Sequence, residues 1–255
     1  MQNTLRCFLL ISFTYFIGVA VYAQRTVFIG VKGGISIPNL HGNSSNPLES
    51  GYSTSLGADC GVLAEFTINK WFSIQPEIDY SQEGGKHDGL QPFINPYPDI
   101  APQPYLYATY NSAIRLNYLM VPIMAKFNFN LSGKLKFYTN VGGFAGFLLK
   151  GKTMTSGNSH VYLNPDGTNE QPFYPNAVFS FADNENITDS LKTFNAGIIA
   201  FVGFSYQLGN GKIFIEGGGN YGLVGVQRYT YDGTNYAGAI TAHIGYEYIL
   251  RRKKR

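Results

Sequence analysis

Along much of this chain, apolar and polar side chains alternate with period two, as they do in strands whose successive side chains face opposite sides of a sheet. Leu56, Ala58, Cys60, Val62, Ala64, Phe66 and Ile68 form one apolar row against Ser55, Gly57, Asp59, Gly61, Leu63, Glu65 and Thr67. Phe72, Ile74, Ile78 and Tyr80 alternate with Ser73, Gln75, Glu77 and Asp79. Phe194, Ala196, Ile198, Ala200, Val202, Phe204 and Tyr206 alternate with Asn195, Gly197, Gly203, Ser205 and Gln207. Ile240, Ala242, Ile244, Tyr246 and Tyr248 face Thr241, His243, Gly245 and Glu247. Four further segments, 27–37, 116–129, 135–149 and 213–223, carry the pattern less evenly, with Lys32, Lys126, Lys136, Asn140, Glu216 and Asn220 on their polar rows. The pattern predicts eight strands. Several are longer than the roughly five or six residues usual in soluble strands and exceed the roughly 9–11 that a tilted strand needs to cross a bilayer.

The connections alternate too. Asn69-Lys70, 130–134 and 208–211 are tight turns rich in Asn and Gly, whereas 38–53, 81–113, 150–192 and 224–236 are long. Short turns at one end and long loops at the other are the arrangement of outer-membrane barrels, and an even strand count places both chain ends on the short-turn, periplasmic side. Periodicity does not say which row points inward: a lipocalin-like soluble barrel would hold the apolar row inside. The polar rows are Gly-rich and sparsely charged for a water-facing surface. They also hold both signs, as an interior of paired charges would, because a buried charge without a partner costs several kcal/mol. The expected interior network is Lys32, Asp59, Glu65, Glu77, Asp79, Lys126, Lys136, Glu216, His243 and Glu247. The expected fold is all-β, an eight-stranded antiparallel up-and-down transmembrane β-barrel with long extracellular loops. Pro76 and Pro122 cannot donate a ladder hydrogen bond, so a bulge is expected beside each, where the third and fourth strands meet.

Composition fits this picture: 30 Gly, 19 Phe and 19 Tyr are what tight packing and aromatic anchoring in an all-β protein require. The opening of the chain sets the compartment. Arg6 precedes an apolar run over 8–21, and Val21 and Ala23 place small or short side chains before Gln24. Residues 1–23 therefore read as a secretory signal peptide rather than a membrane anchor, the run being short for a span of about 20 residues. The barrel domain is expected over 24–250, followed by a basic periplasmic tail, 251–255. Removal of 1–23 leaves Cys60 as the one cysteine, so no internal disulfide can form. Arg6 is the single charge removed, which leaves 18 Lys and Arg against 16 Asp and Glu. That near balance argues against nucleic acid as a partner.

Several short motifs carry a resemblance. They are Gln75-Pro76-Glu77, Tyr80-Ser81-Gln82, Gly84-Gly85-Lys86, the run Leu116-Asn117-Tyr118-Leu119-Met120-Val121-Pro122, the Ala23-Gln24 exit and Gly33-Gly34. In order and spacing they resemble the PorT-like outer-membrane β-barrel family across essentially the whole mature chain. The resemblance implies an OmpX-like eight-stranded barrel in a Gram-negative cell envelope, and a founding member linked to protein secretion and gliding. It implies no assigned activity. His243, Gly245, Tyr248 and Leu250 are similar to the closing pattern that barrel-insertion machinery reads, although here the chain continues through the basic tail.

Candidate chemistry is sparse. His41, His87 and His160 fall in predicted loops, and His243 shares a polar row with Glu247, within possible reach of Ser205 or Glu216. No glycine pattern of a nucleophile elbow surrounds any Ser, so no catalytic residue is assigned. Asp166, Glu170, Asp183, Glu185 and Asp189 lack calcium-loop spacing, and no metal or cofactor is expected. An eight-stranded lumen is filled by side chains, which excludes large passive flux. What remains is the loops. The second interleaves Pro92, Pro96, Pro98, Pro102 and Pro104 with Phe93, Tyr97, Tyr105 and Tyr107, a stiff aromatic surface suited to contact. The third carries Tyr162, Phe173, Tyr174, Phe179 and Phe181. The expected role is structural or surface interaction by a monomer. The expected partners are outer-membrane lipid, lipopolysaccharide, the insertion machinery and an extracellular protein or surface ligand. The alternatives are a secretion-apparatus component and a lipid-modifying barrel enzyme.

Overall fold

The computed structural model describes residues 26–42, 47–48, 51–96, 98–99, 102–172, 174, 176–229 and 233–252. The expected signal peptide and the end of the basic tail lie outside them, as does Tyr97. Eight long strands dominate: β1 (Thr26–Gly42), β2 (Gly57–Thr67), β3 (Phe72–Ile94), β4 (Tyr105–Ser132), β5 (Leu135–Ser156), β6 (Phe194–Leu208), β7 (Gly211–Gly222) and β8 (Asn235–Arg252). Each pairs antiparallel with its neighbours in sequence. β1 also pairs with β8 over its whole length, from Thr26↔Arg252 to Gly42↔Asn235, and this closes the ring. Arg251 and Arg252, expected in the tail, still pair as strand residues.

The orientation of the rows settles the question that periodicity left open. Ile240 and Ile244 are each 68% exposed, whereas Glu247 on the opposite row is 0% exposed. The same holds around the ring: Val31, Val62, Ile78, Ile123, Val141, Ile198 and Ile215 face outward, while Lys32, Asp59, Glu77, Lys126, Asn140 and Glu216 are buried within. In water that would bury charge and expose a continuous apolar belt, the reverse of a soluble protein. In a bilayer each row meets its proper solvent. This is a transmembrane barrel.

The strands outrun the sequence reading on the long-loop side. β3 continues to Ile94 and β4 begins at Tyr105, so most of the expected loop 81–113 is a paired hairpin in constant register from Phe72↔Phe127 to Ile94↔Tyr105. Gly84, Gly85 and Gly89 fall within the expected loop, yet they sit inside β3. At Gly84, φ is +130° and a Cβ would stand 2.0 Å from the Ile114 carbonyl oxygen, so close backbone approach explains that glycine. β5 likewise runs to Ser156, and the third loop contributes short strands, Val161–Tyr162 against β4 and Asp183–Asn186 against β5.

The bulges expected beside Pro76 and Pro122 are absent. Pairing between β2 and β3 skips Gln75 and Pro76, and pairing between β3 and β4 skips Glu77 and Ile78, with the register unchanged on either side. The missing N–H donors are absorbed as gaps in the ladder. Register shifts fall instead between Asn117 and Tyr118 and between Asn130 and Ser132 on β4, and between Val27 and Phe28 on β1.

The lumen is packed in two zones. Toward the long loops, Leu116, Tyr118, Met120, Phe144, Ile199 and Phe201 form an apolar cluster that Leu191 and Val226 join from the connecting segments. Toward the short turns the filling is charged and hydrogen bonded, with a small apolar group of Leu63, Tyr138 and Phe214 beside it. Gly245 makes room here: a Cβ would meet the Phe214 ring at 2.2 Å and the Val31 carbonyl oxygen at 2.6 Å. The short turns are built locally. Asn69 accepts hydrogen bonds from the N–H groups of Trp71 and Phe72, each at 2.9 Å, and so closes the β2–β3 connection.

Candidate functional site

Inward positions of six strands converge on the charged zone. Lys126 on β4 stands 2.9 Å from Glu65 on β2 and 3.4 Å from Glu247 on β8. Lys212 on β7 reaches the same two carboxylates, Glu65 at 2.5 Å and Glu247 at 3.2 Å. Two lysines and two glutamates thus form a neutral ring. Glu65 also accepts a hydrogen bond from the Ser73 hydroxyl at 2.8 Å. From this ring Lys126 donates to Gln75 at 2.8 Å, Gln75 donates to Glu77, and Glu77 pairs with Lys32, which is 3.1 Å from Asp79. Lys126 further lies 4.2 Å from the centre of the Tyr138 ring.

A second group surrounds His243. Its Nε2 is 3.0 Å from Asp59 and its Nδ1 is 3.3 Å from Glu216, while Tyr138 donates its hydroxyl hydrogen to Glu216 at 2.9 Å. His243 therefore meets one of the two expected neighbours, Glu216. Ser205 is not hydrogen bonded to it and lines the short-turn mouth instead. The imidazole sits between two carboxylates with no hydroxyl or thiol bonded to it, an arrangement that neutralises buried charge but offers no nucleophile. Among the described residues no group of three or more His, Cys, Asp or Glu could hold a metal ion.

Nine of the ten expected network residues join these two groups. Lys136 does not: it is half-buried at the mouth and forms no ion pair among the described residues. The expected network omits Lys212, Tyr138 and Glu83, and it omits Ser73 and Gln75 although both lie on a predicted polar row. Parity could have found them. Lys212 extends the inward row of Phe214 and Glu216 by one step, and Glu83 extends that of Asp79 and Ser81 past the point where a loop was expected. Glu83 accepts from Asn220 at 2.9 Å and Ser81 at 3.1 Å.

At the opposite end, the extended β3–β4 hairpin and the third loop enclose a cavity of about 230 Å³. Its wall is aromatic and aliphatic: Phe93, Leu106, Val161, Tyr174, Phe179 and Phe181, with Asn95 and Gln171 at its polar edge. Phe93 and Leu106 are cross-strand partners and so share a face. Phe181 packs edge-on to Phe93 at 5.5 Å and stacks on Tyr110 at 4.7 Å. The expected contact surface is therefore divided. Phe93 lines the cavity, whereas Tyr105 and Tyr107, one residue to either side of Leu106, project from the other face of the hairpin. Tyr174, Phe179 and Phe181 of the third loop complete the wall.

The model of one protein family, the outer membrane protein beta-barrel domain, matches residues 22–227. No curated protein matches the chain. Similar solved structures include Neisserial surface protein A, 11% identical over 86% of this chain and 95% of that one, with a TM-score of 0.38. OprG from Pseudomonas aeruginosa is 8% identical over 89% and 97%, with a TM-score of 0.40. The outer membrane protease OmpT from Escherichia coli is 9% identical over 89% and 97%, with a TM-score of 0.33. The family match spans most of a closed barrel with an apolar belt and a charged interior, and the chain belongs to the outer membrane protein β-barrel domain family.

Proposed function

We propose that this barrel is a non-catalytic surface-interaction protein whose extracellular extension receives an apolar or aromatic side chain of an extracellular protein. The aromatic-walled cavity between the β3–β4 hairpin and the third loop carries the reading. At about 230 Å³ it is smaller than the roughly 300–1,000 Å³ of sites that enclose drug-sized ligands. It suits one anchoring side chain, the way a pocket at the centre of a protein interface accepts a hot-spot residue. Paired strands hold the Phe93, Leu106 and Val161 side of the wall, which limits the ordering needed there on binding. The motifs around Gln75-Pro76-Glu77 and Tyr118 support placing the chain beside PorT-like members, and residues 1–23 support export with a cleaved signal peptide.

The test is to pan a random heptapeptide phage library against the full barrel reconstituted in nanodiscs. Enriched peptides should share one large apolar residue. Phe181→Ala should weaken their binding tenfold or more, and Tyr107→Ala, on the other face, should leave it unchanged. Absence of enrichment, or binding indifferent to Phe181→Ala, would overturn the proposal.

A further inference from the structure

The short-turn mouth of the lumen opens into a second cavity, of about 190 Å³, and its lining is basic. Lys212 and Lys136 project into it from β7 and β5, and Lys70 and Lys134 stand at its rim on the β2–β3 and β4–β5 turns. Glu65 is the one acid in the lining, and it is already committed to Lys126 and Lys212. Because the ring of Lys126, Lys212, Glu65 and Glu247 sums to zero, the charges of Lys70, Lys134 and Lys136 are left over at the mouth. None of these three forms an ion pair with a carboxylate among the described residues. Lys136 is half-buried, and the charges around it are Lys212 and Lys126 as well as Glu65. An ammonium held among other ammoniums in a partly desolvated site gains from a counter-charge. The Ser205 hydroxyl and the Asn128 amide supply neutral donors in the same wall, and the space is large enough for several waters or a hydrated oxyanion.

We propose that this periplasmic vestibule is a phosphate-binding site, with Lys136 as its principal ligand, Lys212 behind it and Lys134 and Lys70 at the entrance. The group recognised is a phosphate oxyanion, and it could come from a soluble periplasmic phosphate or from a phospholipid headgroup of the inner leaflet. The site is at the opposite end of the barrel from the aromatic cavity and is independent of it.

The experiment uses the full chain folded in phosphate-free detergent micelles, with folding verified by heat-modifiable migration. Calorimetric titration is run with inorganic phosphate against potassium chloride of matched ionic strength, then with dihexanoyl phosphatidylglycerol. Lys136→Gln, Lys134→Gln and the distant control Lys152→Gln are compared with the parent. Saturable phosphate binding weakened tenfold or more by Lys136→Gln, and unaffected by Lys152→Gln, supports a soluble ligand. The same pattern with the lipid alone supports the headgroup. Should Lys136→Gln fail to fold, Lys134→Gln in the exposed turn reports in its place, with a severalfold loss expected. Binding of neither ligand, or binding that these substitutions leave unchanged, would overturn the proposal.

Discussion

Replacing Lys126 with Met keeps most of the side chain's length and removes one ammonium from the centre of the lumen. In the native barrel that ammonium is 2.9 Å from Glu65, 3.4 Å from Glu247 and 2.8 Å from the Gln75 amide oxygen, and it is about 1% exposed. The ring of two lysines and two glutamates is neutral; Lys126→Met leaves it with a charge of −1, and one carboxylate has no full counter-charge. Breaking a buried pair in this way costs about 3–5 kcal/mol. Lys126→Met/Glu247→Gln returns the ring to neutrality, with Glu65 still paired to Lys212 at 2.5 Å. The double variant should therefore recover about 0.5–3 kcal/mol relative to the single one, the range for coupled residues in one network. The measurement is urea unfolding in phospholipid vesicles, followed by the fluorescence of Trp71. This is the chain's one tryptophan, exposed at the β2–β3 turn and stacked on Phe127. A Lys126→Met barrel within about 1 kcal/mol of the parent, below the effect expected for a broken buried network, would refute this account. So would a double variant no more stable than the single one.

Two further outcomes test the fold itself. Ile244, on the lipid-facing row of β8 and 68% exposed, should tolerate Leu but lose about 2–4 kcal/mol as Ile244→Arg, read by the same unfolding assay. The apolar plug of Leu116, Tyr118, Met120, Phe144 and Phe201 should keep the conductance of the barrel in planar bilayers negligible, and steady open-channel currents would contradict the packing.

The architecture was largely legible because a transmembrane barrel writes one physical rule into every strand: apolar outward, polar inward, with period two. Asp59, Glu65, Glu77, Lys126 and Glu247 could be assigned to one row by parity alone. Which side of the sheet that row faces could not, since a soluble barrel has the same period with the opposite sign, and only the burial of Glu247 beside the exposure of Ile244 fixes it. The limits of β3 and β4 were misread for a different reason. Beyond the bilayer no apolar belt enforces alternation, so Gly84, Gly85, Gly89 and the prolines after Gln91 look like loop, although cross-strand pairing holds them extended. Lys212 was lost to its position beside the Gly209-Asn210 turn. The aromatic cavity was only half visible, because its wall joins two loops distant in sequence. Phe93 and Phe181 were each recognisable as loop aromatics, but their contact depends on how the third loop folds back over the hairpin.

The ion-pair ring also bears on assembly. Lys126 and Glu247 are 121 residues apart, and Lys212 and Glu65 are 147 apart. Lys212 and Glu247 face each other within the β7–β8 hairpin, but Lys126 has both its carboxylates, and Glu65 both its lysines, on strands that do not adjoin its own, so an incompletely assembled barrel would leave Lys126 and Glu65 short of counter-charge. Neutralisation of the ring is thus completed only when β2, β4, β7 and β8 are brought together. Partly inserted intermediates are penalised on electrostatic grounds, and the chain should enter the membrane as a nearly complete cylinder.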